Sequence, residues 1–338
     1  MGMLTKLPES YTENTNYSYA VGRVRALETK LLDRGKIERL VKAEDTQEIS
    51  RILTDSDYAH IVSDLTSRDM YNKALQLSRE TSYKIVDELI IEEKVRNTVH
   101  IPFDYFNLKV MLKSKVFERD FSEILSPLGI IQIDMLKDIF QGERYDTLPG
   151  FMTQAIFSTV EAFYINKDPQ IIDFMFDSLL MAYLSENGYP PFLRDYYKMK
   201  IDLVNFRTIL RVKIVGGKKE MIRNSLIKGG FVEFETMIDL INENPENIPQ
   251  RFVRWIYFDS LSEGIKYIVN ENSFVKYEYL MEKFLLNYVY KANRLVFGSE
   301  PIVGYLLKKE NEIKNLRVIL SGKFNRIPEE KIIERVVI

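Results

Sequence analysis

Asn205-Phe206-Arg207-Thr208-Ile209-Leu210-Arg211-Val212-Lys213 occurs in three versions along this chain. The others are Asn107-Leu108-Lys109-Val110-Met111-Leu112-Lys113-Ser114-Lys115 and Asn315-Leu316-Arg317-Val318-Ile319-Leu320-Ser321-Gly322-Lys323. Their shared skeleton is Asn, Leu or Phe, a cation, two variable positions with Met or Ile second, Leu, and a final Lys. The copies stand 98 and then 110 residues apart. That period is too long for a solenoid of small repeats. It points to three related helical bundles, each about the size of a small domain. An internally triplicated helical protein reads as a scaffold rather than an enzyme, because triplication repeats a surface and does not build one reaction centre.

On a helix advancing 100° per residue, Leu108, Met111 and Leu112 form one apolar stripe. Asn107 lies to one side of it and Lys109 to the other, with Lys113 extending the basic edge by a turn. Phe206, Ile209 and Leu210 repeat the stripe with Asn205, Arg207 and Arg211, and Leu316, Ile319 and Leu320 repeat it with Asn315 and Arg317. Two readings stay open. In one, each Asn makes an interhelical hydrogen bond at the core margin, as buried polar groups are paired within the fold, and the cations are solvated. In the other, Lys109, Lys113, Arg207, Arg211 and Arg317 line a recess around a common axis and receive an acidic or polar partner.

Nearly every long segment has helical period. Ala20, Val24, Leu27 and Leu31 mark a first helix with Gly35 as its stop, and Ile37, Leu40 and Val41 begin a second. Asp45 with Glu48 is a helix-start signal. Met70 to Val95 reads as one long helix, ended before Pro102. Each motif follows such a helix: Met70 to Val95, Ile171 to Ser185, and Val275 to Val296. The first two motifs lead into Gly-headed segments, Gly129 to Phe140 and Gly230 to Ile241. Ile130-Ile131-Gln132-Ile133 and Val336-Val337-Ile338 are β-branched but short, and no hairpin partner accompanies them. The expected fold is all-α: an N-terminal extension (1–16) and three units (17–165, 166–270, 271–338).

The 338 residues are 46% hydrophobic and 28% charged, enough for a real core, and the formal charge is −2. That balance argues against nucleic acid as a partner. Without cysteine, thiolate metal sites, disulfides and cysteine nucleophiles are excluded. Met1-Gly2-Met3-Leu4-Thr5-Lys6 is not expected to be a signal peptide, and no apolar run is long enough to span a membrane. His60 and His100, the only histidines, have no ligand spacing. Val215-Gly216-Gly217-Lys218-Lys219 lacks the phosphate-loop pattern. No cofactor, metal or small-molecule substrate is expected. Charge is uneven: Lys198 to Lys228 holds nine cations against Asp202 and Glu220, a balance of +7, whereas Glu38 to Asp64 is acidic. Opposed charge of this kind suits a protein held between two others.

Tyr17-Ser18-Tyr19-Ala20-Val21-Gly22-Arg23-Val24-Arg25-Ala26-Leu27-Glu28-Thr29-Lys30-Leu31-Leu32 resembles the opening of the C subunits of the V-type (A-type) ATPases and ATP synthases, the counterparts of the eukaryotic d subunit. Asp202-Leu203-Val204-Asn205-Phe206-Arg207 and Glu312-Ile313-Lys314-Asn315-Leu316-Arg317 are similar to the later repeats of that family, so the likeness runs from about Tyr17 to the end. The resemblance implies three bundles in a pseudo-threefold, funnel-like arrangement and no catalytic residues. It implies a peripheral socket on the cytoplasmic face of the membrane, joining the central-shaft subunits to the proteolipid rotor ring during ATP-driven or ATP-producing ion transport. The competing reading is a helical adaptor that binds an acidic partner outside any ATPase. An all-α enzyme of isoprenoid type comes third, and the absence of an Asp-Asp-x-x-Asp cluster counts against it.

Overall fold

The computed structural model describes residues 4–54, 56–59, 68–217 and 219–338, and of residues 68 and 69 only the backbone. Asp55, His60, Asp64 and Lys218, which belong to segments named above, lie outside the described residues. The chain is 73% helical with no strand among the described residues, so the fold is all-α. The helices in chain order are α1 (Ser18–Glu28), α2 (Arg34–Lys42), α3 (Thr46–Leu53), α4 (Arg68–Asp87), α5 (Glu93–Val116), α6 (Ile133–Gln141), α7 (Gly150–Asn166), α8 (Gln170–Asn187), α9 (Pro191–Ile214), α10 (Lys219–Ser225), α11 (Phe234–Asp239), α12 (Phe258–Glu271), α13 (Val275–Val289), α14 (Glu300–Phe324) and α15 (Glu329–Ile333).

Local chemistry sets several boundaries. Asp33 accepts the Lys36 N–H at 2.7 Å and so starts α2. Asp45 accepts the Glu48 N–H at 2.7 Å, and the Glu48 carboxylate accepts the Glu44 N–H at 2.8 Å. This is the expected start of α3, with the reciprocal bond made one residue earlier than in a standard capping box. Two boundaries differ from expectation. Gly35 sits inside the first turn of α2, because the chain leaves α1 already at Thr29 and Asp33 restarts it. The stretch from Met70 to Val95 is two helices, broken between Asp87 and Glu93, and Pro102 lies inside α5. Proline removes one intrahelical bond, that to the Thr98 carbonyl. Val99, Ile101, Tyr105 and Leu108 are all buried on the same helix, and their packing carries it through.

The chain divides into two compact units. Unit 1 contains Met1–Ile90, Asp202–Leu226 and Phe231–Ile338; unit 2 contains Ile91–Ile201 and Ile227–Gly230. The core of unit 2 is built on α5, with Leu108 and Leu112 among Leu136, Ile139, Phe140, Ile156 and Phe176. A core of unit 1 joins Leu316, Ile319 and Leu320 of α14 to Ile37, Leu40, Ile49, Tyr71 and Leu75. Burying each such side chain contributes roughly 1.5–3 kcal/mol, so the motif's apolar stripe is first a core element. Residues 4–16 are fastened to the same unit. Ile256 N–H donates to the Leu4 carbonyl at 2.9 Å, and buried Glu300 accepts from Thr12 N at 2.6 Å and Oγ1 at 3.0 Å.

Candidate partner interface

Two of the motif asparagines, Asn107 and Asn315, are staples. Asn107 Nδ2 donates to the Ser126 carbonyl at 2.8 Å while its Oδ1 accepts the Ser126 N–H at 2.8 Å. Asn315 does the same to Val337, at 2.7 Å and 3.1 Å. A carboxamide has one donor face and one acceptor face, so it satisfies both backbone groups of a residue that belongs to no helix or strand ladder. Asn205 holds the same place on α9 and is buried.

Three residues earlier comes an acid that the nine-residue frame does not include: Asp104, Asp202 and Glu312. Asp104 accepts the Ile131 N–H at 3.0 Å. Asp202 accepts from Phe231 N at 3.0 Å, Val232 N at 3.1 Å and the Tyr257 hydroxyl at 2.8 Å. Burial pushes the Asp104 carboxyl up to about 6 and that of Asp202 to about 7, with the hydrogen bonds opposing the rise. Asp104 Oδ2 has no hydrogen-bond partner among the described residues. The signal is present in the sequence, in Asp202-Leu203-Val204-Asn205 and Glu312-Ile313-Lys314-Asn315, and a frame extended upstream finds it. Gly129 is required beside this pair, since a Cβ there would stand 2.5 Å from Asp104 Oδ1.

The final lysine of the motif also recurs as a tie. Lys115 Nζ reaches Glu143 at 2.5 Å, and Lys213 Nζ donates to the Ile241 carbonyl at 2.6 Å, each 28 residues downstream. Lys323 pairs with Glu329 at 3.4 Å.

The basic edges divide into three cases. On α5, Lys109 Nζ lies 2.8 Å from Asp177 and 3.6 Å from Asp173, and Lys113 Nζ contacts both oxygens of Asp173 at 2.8 and 2.7 Å. Two lysines thus face two aspartates, both on α8. On α9, Arg207 and Arg211 share one oxygen of Glu278 on α13, at 3.4 and 2.9 Å. On α14, Arg317 is exposed and has no carboxylate within 4 Å among the described residues. Desolvation, followed by repulsion from Arg79, holds its guanidinium below the ordinary value.

Arg317 opens onto a groove of about 1180 Å³ in unit 1. One wall is the face of α13 bearing Val275, Lys276, Tyr279 and Lys283, and the other is the face of α14 bearing Lys314, Arg317, Val318 and Ser321. Seven cations line it against three carboxylates, so its local field is positive. Two other buried polar side chains have structural partners. His100 Nδ1 lies 2.6 Å from the Leu128 carbonyl, and Lys309, 1% exposed, bonds Glu312 at 2.8 Å. Among the described residues no group of three or more acids and histidines is spaced to hold a metal ion.

These features define an all-helical protein with a repeated fastening motif and a cationic groove. The sequence matches the ATP synthase (C/AC39) subunit family over residues 20–335, and the chain belongs to that family. It is 25% identical to the A-type ATP synthase C subunit of Methanocaldococcus jannaschii, over 94% of this chain and 85% of the relative. It is 22% identical to the V-type sodium ATPase C subunit of Enterococcus hirae, over 92% and 95% respectively. With the A-type ATP synthase C subunit of Methanococcoides burtonii it shares 23% identity over 96% and 95%.

Proposed function

We propose that the chain is the non-catalytic socket of a rotary A/V-type ATPase, seated peripherally on the cytoplasmic face of the membrane between the central-shaft subunits and the proteolipid ring. Family membership supports a place in such a complex. The observation that carries the finer reading is the pattern of ties between motif helices and long helices. α5 is tied to α8 through Lys109 and Lys113, and α9 is tied to α13 through Arg207 and Arg211. α14 is tied to α4, where Arg79 forks onto Glu310 at 2.8 and 2.9 Å. Each motif helix therefore grips the long helix that precedes the next motif, and the third grips the helix that precedes the first. A pseudo-threefold ring of units 17–165, 166–270 and 271–338 calls for this permutation. Such a body resists torsion, which suits a part that transmits rotation and converts no substrate. No helix among the described residues is long and apolar enough to cross a membrane, in keeping with a peripheral seat.

The test is affinity purification of the tagged chain from its own cells under gentle detergent. Stalk subunits and proteolipid ring should come down in fixed ratio, and the isolated chain should hydrolyse no ATP. Recovery without any ATPase subunit, or ATP hydrolysis by the chain alone, would overturn the proposal.

A further inference from the structure

We infer that the groove between α13 and α14 receives one helix of a partner protein, apolar along one stripe and acidic on its flanks. Such docking deepens the socket role proposed above and rests on it only for the supply of a partner.

The dimensions suit a helix. Val275 to Lys283 on one wall and Lys314 to Gly322 on the other each run nine residues, a rise of roughly 12 Å at 1.5 Å per step, or about two helical turns. The surface chemistry is that of a helix-binding groove. Val275, Val318, Ile327 and Ile333 supply an apolar floor that a phosphate or a headgroup would leave uncovered. Cations stand along the rim. Several are already matched within the fold: Arg34 with Glu38 at 2.7 Å, Lys276 with Glu263 at 3.3 Å, and Lys331 with Glu334 at 3.1 Å. Lys314 is matched by Glu282. Lys283, Arg317 and Arg335 have no carboxylate within 4 Å among the described residues, and all three are exposed. The Lys283 ammonium lies 5.6 Å from the centroid of the Tyr279 ring on the same wall. Unmatched positive charge on both walls over an apolar floor selects a ligand with the opposite pattern. Charge steers it in, and the floor retains it.

The probe is a labelled 18-residue peptide with a leucine stripe and glutamates on both flanks, titrated with the full chain by fluorescence anisotropy at low and moderate salt. Saturable binding that weakens as salt rises is expected. Lys283→Glu with Arg317→Glu should weaken it at least tenfold while leaving the thermal unfolding midpoint in place. If that pair fails to fold, Lys283→Gln with Arg317→Gln should still weaken binding about threefold. A peptide with lysine flanks should not bind, and a scrambled peptide of equal charge should bind at least tenfold more weakly. Equal binding of the scrambled peptide overturns the inference, as does displacement by millimolar inorganic phosphate or preferential binding to anionic phospholipid vesicles. Absence of peptide binding overturns it too, and if the chain still co-purifies with ATPase subunits, the socket proposal stands without it. Peptide binding by a chain that never co-purifies with them breaks the socket proposal alone.

Discussion

α5 and α14 carry the same motif and use it differently. Their asparagines do identical work, each closing both backbone groups of one downstream residue. The positions around that staple diverge. Lys109 of α5 is matched by Asp173 and Asp177, whereas Arg317 of α14 meets no carboxylate among the described residues and faces a groove. Asp104 catches a backbone N–H. Glu312 also accepts a backbone N–H, from Leu32, and is further engaged by buried Lys309 and by the Tyr58 hydroxyl, each at 2.8 Å, with the Tyr58 ring 4.2 Å from the ammonium. What recurs is the fastening of a helix; what differs is where charge is left over. The repeated skeleton is therefore structural, and the candidate for recognition is the copy whose cation has no internal match.

The largest expected effect tests the acids three residues before the asparagines. Glu312→Ala would leave the Lys309 charge buried and short of its principal partner, a loss of roughly 3–5 kcal/mol. Asp104→Ala removes the acceptor of the Ile131 N–H and should cost about 1–3 kcal/mol. Urea unfolding of both variants measures the gap. Equal losses would erase the distinction between the two helices.

Next in size is a pH effect confined to the aspartate copies. The folded pKa of Asp202, about 7, lies above the ordinary aspartate value of 3.8. The folded state then holds the proton more tightly than the unfolded state, so this contribution to stability is complete below about pH 4 and is lost as pH rises through about 7. Asp104 acts in the same sense up to about 6. Asp202→Asn should remove the corresponding part of the slope, at most about 4 kcal/mol between pH 4 and 8. The readout is the difference between wild-type and variant unfolding free energies across that range. A difference curve that is flat with pH would mean Asp202 is ionised throughout.

Much of this is legible in the sequence. The three motif stripes predict core helices, and Leu108, Phe206 and Leu316 are fully buried. The motif places each asparagine at the core margin, and Asn107 and Asn315 are buried there, but their bonds run to the backbone of a downstream non-helical residue and not to another helix. Three things are not legible, for physical reasons. Pro102 reads as a stop because a single sequence does not reveal that Ile101 and Tyr105 are buried strongly enough to carry a helix past a missing bond. The acids at Asp104 and Asp202 fall outside a frame that begins at Asn. Whether a motif cation is matched depends on carboxylates about 60–70 residues away, Asp173, Asp177 and Glu278, and no local pattern encodes that distance.

A smaller effect checks the shared part of the comparison. Asn107→Ala and Asn315→Ala each remove one donor and one acceptor facing a single residue, Ser126 or Val337, and should cost about 2 kcal/mol apiece. Similar losses, measured by denaturant midpoint at unchanged slope, would confirm that the staple is one device used twice. A loss at only one site would show that the two bonds differ in their surroundings.

The smallest expected effect is also the one that separates fastening from recognition. Lys109→Glu places a third acid beside Asp173 and Asp177, so repulsion replaces attraction at 2.8–3.6 Å; the cost should be about 1 kcal/mol, the upper end for partly exposed pairs. Arg207→Glu with Arg211→Glu sets two acids against Glu278 and should cost a similar amount, because that glutamate serves both arginines. Arg317→Glu breaks no internal carboxylate pair and places an acid near Arg79, so its effect on stability should stay within about 0.5 kcal/mol of zero. The three variants are compared by thermal unfolding at low salt and again at moderate salt, where screening within roughly 10 Å should shrink the first two losses. Association with partner subunits should follow the reverse order, with Arg317→Glu slowing it most. If Arg317→Glu destabilises the fold as much as Lys109→Glu does, its charge is matched internally after all, and the contrast between α5 and α14 is lost.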